Sequence, residues 1–109
     1  MTDTASGPSE TPNLGAVIDD EVTAVDVKAL SAFGYETRYR LVRLLVESDG
    51  GLRFDEITPH VSISDSAVSH ALTLLADAGL VEKRKDGRSR SYTPTERAEA
   101  LVAALDETR

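Results

Sequence analysis

Ser66, Ser69, His70 and Thr73 stand close together in the run Ser62-Ile63-Ser64-Asp65-Ser66-Ala67-Val68-Ser69-His70-Ala71-Leu72-Thr73-Leu74-Leu75-Ala76-Asp77-Ala78-Gly79-Leu80-Val81. Serine and threonine hydroxyls both donate and accept hydrogen bonds, and a neutral imidazole does one at each nitrogen. Wound at about 3.6 residues per turn, these four share one side of a helix with Asp77. Val68, Ala71, Leu72, Leu75 and Gly79 take the other side. A helix side free of bulky apolar groups and rich in two-way hydrogen bonders suits the edges of nucleobases, and the major groove, about 12 Å wide, admits one α-helix. The same residue types raise a second chemistry. Ser66 and His70 are four apart and face each other, with Asp65 beside them, as in a hydrolytic constellation. No glycine-rich elbow or oxyanion loop accompanies them, and all three sit on one solvent-facing helix, so the sequence argues against an enzyme.

The flanking residues define what holds this helix. Ser64 is a favoured N-cap, Asp65 suits the positive first turn, and Gly79 is the expected stop. A short third helix is expected over Phe54 to His60, burying Phe54, Ile57 and Val61. Pro59 forces it to be short, tightened or bent. The connection Ser62-Ile63-Ser64 then makes a helix-turn-helix. After the glycine, Val81–Lys85 and Arg88–Tyr92 flank Asp86-Gly87, which reads as a hairpin closed by a type I′ turn at those two residues. The hairpin carries Lys83, Arg84, Lys85, Arg88 and Arg90 within eight positions, a cluster suited to phosphates beside the helix.

Residues 1–13 are rich in Thr, Ser, Gly, Pro and Asp and read as a disordered tail. Residues 14–109 form one domain. A first helix is expected from Leu14, with Val17, Ile18, Val22, Val25, Ala29 and Leu30 on one face. A second runs from Glu36 to Glu47, its apolar side carrying Tyr39, Leu41, Val42, Leu44, Leu45 and Val46. Arg38, Arg40 and Arg43 are open between surface ion pairing with Glu36, Glu47 or the acidic N-terminal segment and a binding role. Thr93-Pro94-Thr95-Glu96 reads as a capping box with proline at the first helical position. The last helix aligns Ala98, Leu101, Val102 and Leu105. The apolar faces of the first and last helices exceed what a chain this size easily hides, so Val22, Val25, Leu101, Val102 and Leu105 are expected in a dimer interface.

The formal net charge is −7 over 109 residues, which taken alone argues against phosphate binding. The distribution of that charge points the other way, because the acidity lies mostly outside the hairpin, residues 1–30 alone setting six acids against one lysine, and the hairpin is locally basic. Lysine occurs only at 28, 83 and 85. An acidic, lysine-poor surface stays solvated at high ionic strength and points to a salt-loving host. No cysteine is present, which excludes disulfides and thiolate metal sites. Two histidines cannot build a typical transition-metal site alone, so neither metal nor cofactor is expected. No run reaches the length of a membrane span and no secretory signal is visible, so the expected location is the cytoplasm.

From about Ala29 to Leu105 the chain resembles the ArsR/SmtB-type winged-helix repressors. The likeness runs through Thr37-Arg38-Tyr39-Arg40-Leu41-Val42-Arg43-Leu44-Leu45, Ser64-Asp65-Ser66-Ala67-Val68-Ser69-His70-Ala71-Leu72, Ala78-Gly79-Leu80-Val81, the Asp86-Gly87-Arg88 wing and Tyr92. It implies a mainly α winged helix-turn-helix with a small β-hairpin. It also implies a homodimer paired through its first and last helices, repression relieved by a signal, and double-stranded DNA with a palindromic operator as partner. The residues expected at DNA are Ser64, Ser66, Ser69, His70, Thr73, Lys83, Arg84, Lys85, Arg88 and Arg90. The chain departs from the family in lacking the cysteines and last-helix histidines through which many members sense metals. Asp65 and Thr73 also stand where relatives often carry an amide and a base, which shifts phosphate contact toward the wing. The rival expectation is a winged-helix module that binds protein without DNA specificity.

Overall fold

Asp19 starts the first helix. Its carboxylate accepts from the backbone N–H groups of Glu21 at 2.8 Å and Val22 at 3.0 Å, satisfying two donors that a helix N-terminus leaves open. In the computed structural model, which describes residues 17–109, helix α1 then spans Asp20–Phe33. The tail expected at residues 1–13, and the helix start expected at Leu14, lie outside the described residues.

Helix α2 spans Glu36–Glu47. The short strand β1 (Leu52–Arg53) leads into α3 (Phe54–Ile57), which tightens into a 3₁₀ turn over Thr58–His60. Pro59 explains the change, since proline lacks the N–H that would continue the α-helical ladder. Helix α4 spans Asp65–Asp77, strands β2 (Val81–Asp86) and β3 (Ser89–Pro94) form the hairpin, and α5 spans Glu96–Thr108. The three strands are antiparallel in the order β1-β3-β2.

Two expectations at the hairpin and the last helix need correcting. Asp86 pairs with Ser89, so the two-residue turn is Gly87-Arg88 and not Asp86-Gly87. Gly87 takes φ 64°, the positive value that mirror-image hairpin turns require at their first position. Pro94 ends β3 opposite Val81 rather than opening α5. The cap is Thr95, whose hydroxyl accepts from Ala98 N at 3.2 Å and donates to the carbonyl of Gly79 at 2.7 Å. One threonine thereby starts α5 and fastens it to the chain leaving α4.

Gly79 closes α4 at φ 76°. Its N–H bonds to Ala76 O at 3.1 Å and that of Leu80 to Leu75 O at 2.9 Å, the paired bonds of a Schellman ending. The sharp reversal sends Leu80 and Val81 into the core, so the hairpin begins directly from the helix end.

One apolar cluster joins all these elements. Leu41, Val42 and Leu45 of α2, Ile57 of α3, Val68, Leu72 and Leu75 of α4, Leu80, Tyr92, and Ala98 and Val102 of α5 are almost fully buried. The sequence places Val102 at a dimer interface. At 2% exposure it is instead a core residue of the monomer and offers no area to a partner. Helix α1 contributes only Ala29, Ala32 and Phe33, at its C-terminal end, and leaves the rest of its apolar side uncovered.

Beyond the pairing with Glu47 that the sequence left open, Arg38 and Arg43 have structural partners that the sequence did not reveal. Arg38 donates to the carbonyl oxygens of Ala32 at 2.7 Å and Ser31 at 3.4 Å, and lies 4.2 Å from the centre of the Tyr35 ring. It thus satisfies carbonyls at the open end of α1. Arg43 makes a two-pronged bond to Asp106 at 2.7 and 3.0 Å, joining α2 to α5. Glu47 lies 3.3 Å from the same guanidinium. The hydrogen bond from Arg43 holds the Asp106 carboxyl below its ordinary range, with Arg109 assisting, and the same bond raises the Arg43 guanidinium. Arg40 pairs with Glu36 at 2.9 Å, one of the pairings that the sequence left open.

Candidate nucleic-acid interface

The sided character of α4 follows from its sequence. Val68, Leu72 and Leu75 have no exposed surface and Ala71 has 6%, so they fix the rotation of the helix about its axis. That rotation leaves Ser66, His70 and Thr73 exposed and Ser69 half-buried at the margin. Ser64 is exposed at the cap. The five helix residues picked from the sequence therefore lie on one accessible side of one element.

Their hydrogen-bonding capacity differs. The Ser64 hydroxyl accepts from Ala67 N at 3.1 Å and keeps its own hydrogen for an outside acceptor. The Thr73 hydroxyl donates to the carbonyl of Ser69 at 3.0 Å, one turn back. What Thr73 can offer a base is a lone pair, which suits the amino groups of cytosine or adenine. The His70 side chain makes no hydrogen bond to any described residue, so both ring nitrogens remain for an external partner.

The wing cations are not one cluster. Antiparallel pairing sets Lys83 opposite Tyr92, Arg84 opposite Ser91 and Lys85 opposite Arg90. Directly paired residues share a face, so Lys83, Lys85 and Arg90 lie on the side of the sheet that carries buried Tyr92. Arg84 lies on the other side and Arg88 occupies the turn. Lys83, Arg84, Lys85 and Arg88 are exposed, whereas Arg90 is half-buried with its guanidinium 5.5 Å from the centre of the Phe54 ring. None of the five forms a salt bridge to a described residue. Lys85 and Arg90, directly opposed and alike in charge, repel each other until an anion intervenes.

Arg53, at the β1–α3 corner, escaped the sequence reading, and its neighbour Phe54, expected to be buried in the third helix, is half-buried there. Strand β1 is two residues long and carries no period that could announce it. Its pairing with β3 (Leu52 with Tyr92, Arg53 with Ser91) brings Arg53 beside the wing. Arg53 is bonded to Asp55 at 3.1 Å and lies 3.7 Å from Glu56, and the Asp55 bond raises its guanidinium above the ordinary value.

The remaining surface feature is apolar. Val22, Val25 and Leu30 of α1 are more than half exposed, and Leu105 of α5 is 43% exposed. Leu101 is half-buried against the core. A groove of about 450 Å³ between the two helices is lined by Ala29, Leu30, Ala100 and Leu101, with Asp26 and Arg97 paired across it at 3.3 Å.

Residues 35–91 match a family model described as a domain of unknown function, DUF7343. A protein of Halobacterium salinarum named as an arsenical resistance operon repressor, ArsR2, is 44% identical over 92 residues, covering 84% of this chain and 77% of its own length. HlyU from Vibrio cholerae has a solved structure with TM-score 0.72 and 27% identity, covering 83% of this chain and 97% of that one. A fragment of Mb0332 from Mycobacterium bovis, described as a homodimeric winged helix-turn-helix DNA-binding domain, superposes with TM-score 0.68 at 23% identity, covering 85% and 87%. The helix-turn-helix of α3 and α4, the β2–β3 wing, the flanking helices and these likenesses place the chain in one family: it is a member of the ArsR family of winged helix-turn-helix transcription regulators.

Proposed function

We propose that this chain is a sequence-specific DNA-binding transcriptional regulator, a homodimeric repressor that lays α4 in the major groove of a palindromic operator. The observation that carries this reading is the exposed polar side of α4, with Ser66, His70 and Thr73 turned outward and free of bulky apolar neighbours. Beside it stand five wing cations without ionic partners among the described residues. Base edges are read by the hydroxyls and the imidazole, and backbone phosphates are met by Lys83, Arg84, Lys85 and Arg88.

A second copy of the chain covers the apolar stripe of Val22, Val25, Leu101 and Leu105. Support comes from the exposure of that stripe and from the homodimeric state of the Mb0332 fragment. A two-fold axis through α1 and α5 presents two α4 helices to half-sites related by the same symmetry. The relative's name speaks of arsenical resistance, yet this chain has no cysteine to hold an arsenical. Whatever signal relieves repression acts through other groups. The protein acts where DNA is, in the cytoplasm of a salt-tolerant cell, an assignment supported by the acidic, lysine-poor composition and by the Halobacterium relative.

A mobility-shift titration of the full chain against its own upstream region tests the proposal. Retardation that survives excess random duplex, with a symmetric protected footprint, is the expected result. Equal competition by any duplex, or no retardation, transfers the assignment to the protein-binding alternative.

A further inference from the structure

We infer that the cleft between the β1–α3 corner and the tip of the wing seats one backbone phosphodiester of bound DNA, gripped by Arg53, Arg88 and Arg90. The inference rests on the DNA-binding reading above and adds to it a site that spans two separate elements. The cleft has a volume of about 290 Å³ and is lined by Arg53, Phe54, Asp55, Arg88, Ser89 and Arg90. Arginines from three places thus border it: the end of β1, the hairpin turn and the start of β3. Arginine forks match the geometry of phosphate oxygens, and Ser89 adds a hydroxyl donor.

Each arginine is prepared differently. Arg88 sits in the turn with no salt bridge to a described residue. Arg90 lies over the Phe54 ring at 5.5 Å from its centre, so part of its rotamer freedom is already lost before any ligand arrives. Phe54 is therefore a positioning residue for Arg90. Arg53 is held by Asp55 at 3.1 Å and Glu56 at 3.7 Å, all three groups being substantially solvent-exposed. Exposed pairs of this kind are weak and exchange readily for a better anion. Asp55 faces the same cleft, so it is a built-in competitor that a phosphate must displace.

Seating one phosphate between the corner and the tip fixes the wing relative to the helix-turn-helix. Phosphate contacts of this kind carry no sequence information but set the register in which α4 meets the bases.

The test measures binding of the full chain to a labelled duplex from its own upstream region over a KCl series. Each phosphate contact adds about 0.9 to the steepness of log K against log [salt]. Arg53→Gln should reduce that steepness by about two for a dimer and weaken specific and random duplexes alike. Asp55→Asn should tighten binding to both. Phe54→Leu should weaken binding with the slope retained, and Phe54→Tyr should restore it. Lys85→Gln serves as the wing reference. An unchanged slope in Arg53→Gln with a reduced slope in Lys85→Gln overturns the seat and leaves the DNA reading standing. Absence of duplex binding by the unaltered chain overturns both. A free oxyanion offers the same chemistry from another source. Saturating shifts of the Arg53 and Arg90 side-chain NMR signals at sub-millimolar inorganic phosphate, without DNA, would assign the cleft to that source and overturn the backbone assignment; no such shifts are expected.

Discussion

His70→Ala separates reading from folding. His70 is exposed on α4 and makes no hydrogen bond to a described residue, so its removal leaves no buried group unpaired and opens no cavity. A change at such a surface position alters stability by no more than about 0.5 kcal/mol. Its loss at the DNA is of a different size. A side chain that pairs with a base edge contributes about 1–3 kcal/mol of discrimination at that base. At about 1.4 kcal/mol per tenfold, that is a loss of about 5- to 150-fold in preference for the correct base pair. The loss should be confined to one base step in each half-site, because one helix residue reaches one edge. The assay is competition binding against duplexes that carry each single base-pair substitution, with a urea melt of the same variant as the folding control. The expected pattern is a flattened preference at one symmetric pair of positions and an unchanged urea midpoint. A uniform weakening across all duplexes, random ones included, would refute base reading by His70. It would reduce the residue to a phosphate contact.

Leu105→Glu should yield monomers by light scattering with little change in the monomer's own melting, because Leu105 is 43% exposed. Val102→Glu should instead unfold the chain, because Val102 is 2% exposed. Asp106→Asn should lower the melting temperature at neutral pH. Its carboxyl is held below the ordinary range chiefly by Arg43, so the pair stabilises the fold above that range and is lost as pH falls through the depressed value. The gap between the two melting curves should therefore close on acidification, and a gap that persists far below the ordinary carboxylate range would count against the pair. Gly79→Ala carries only the cost of a positive φ, about 1–2 kcal/mol, since nothing lies within 4 Å of its Cβ position. Gly51→Ala should cost more in a urea titration, because its Cβ would also meet Thr93 Cγ2 and the backbone oxygen of Tyr92. Melting temperature should rise with KCl into the molar range, and a maximum in dilute buffer would remove the salt-adapted reading of the surface.

The helix-turn-helix was legible because its signals are local. A serine cap, a run of four buried positions at helical spacing and a terminal glycine each act within one turn of chain, and α4 spans Asp65–Asp77 as they require. The wing was legible as a hairpin but not in register. Asp86-Gly87 and Gly87-Arg88 both place glycine in a two-residue turn, and only the pairing of Asp86 with Ser89 decides between them. That pairing depends on Tyr92 reaching the core, which is a long-range fact. Val102 failed for a related reason. On a helical wheel it sits beside Leu101 and Leu105, and the sequence cannot say where the monomer's core ends and an outward stripe begins. Arg43 and Asp106 are 63 positions apart, and nothing in either neighbourhood announces the other. Arg53 and Phe54 come beside the wing by the same kind of contact, through a strand too short to show a period.

An acidic protein that binds an acidic polymer must separate its charges, and here the separation follows the elements. Asp20, Glu21 and Asp26 lie on α1, and Glu96, Glu99, Asp106 and Glu107 on α5, the two helices that carry the apolar stripe. The exposed part of α4 and the wing hold Asp65, Asp77, Glu82 and Asp86 against Lys83, Arg84, Lys85, Arg88 and Arg90. In the proposed complex this layout would repel a duplex from the α1–α5 side and favour encounter at α4 and the wing. The same layout bounds the electrostatic gain. In the proposed dimer, five wing cations per protomer would bring the salt slope to about −9 at most, and the pleat, which turns Arg84 away from Lys83 and Lys85, would make the wing's share smaller. In concentrated salt that contribution shrinks further. Discrimination must then come from contacts that salt does not screen, which on α4 means hydroxyls and one imidazole rather than lysines.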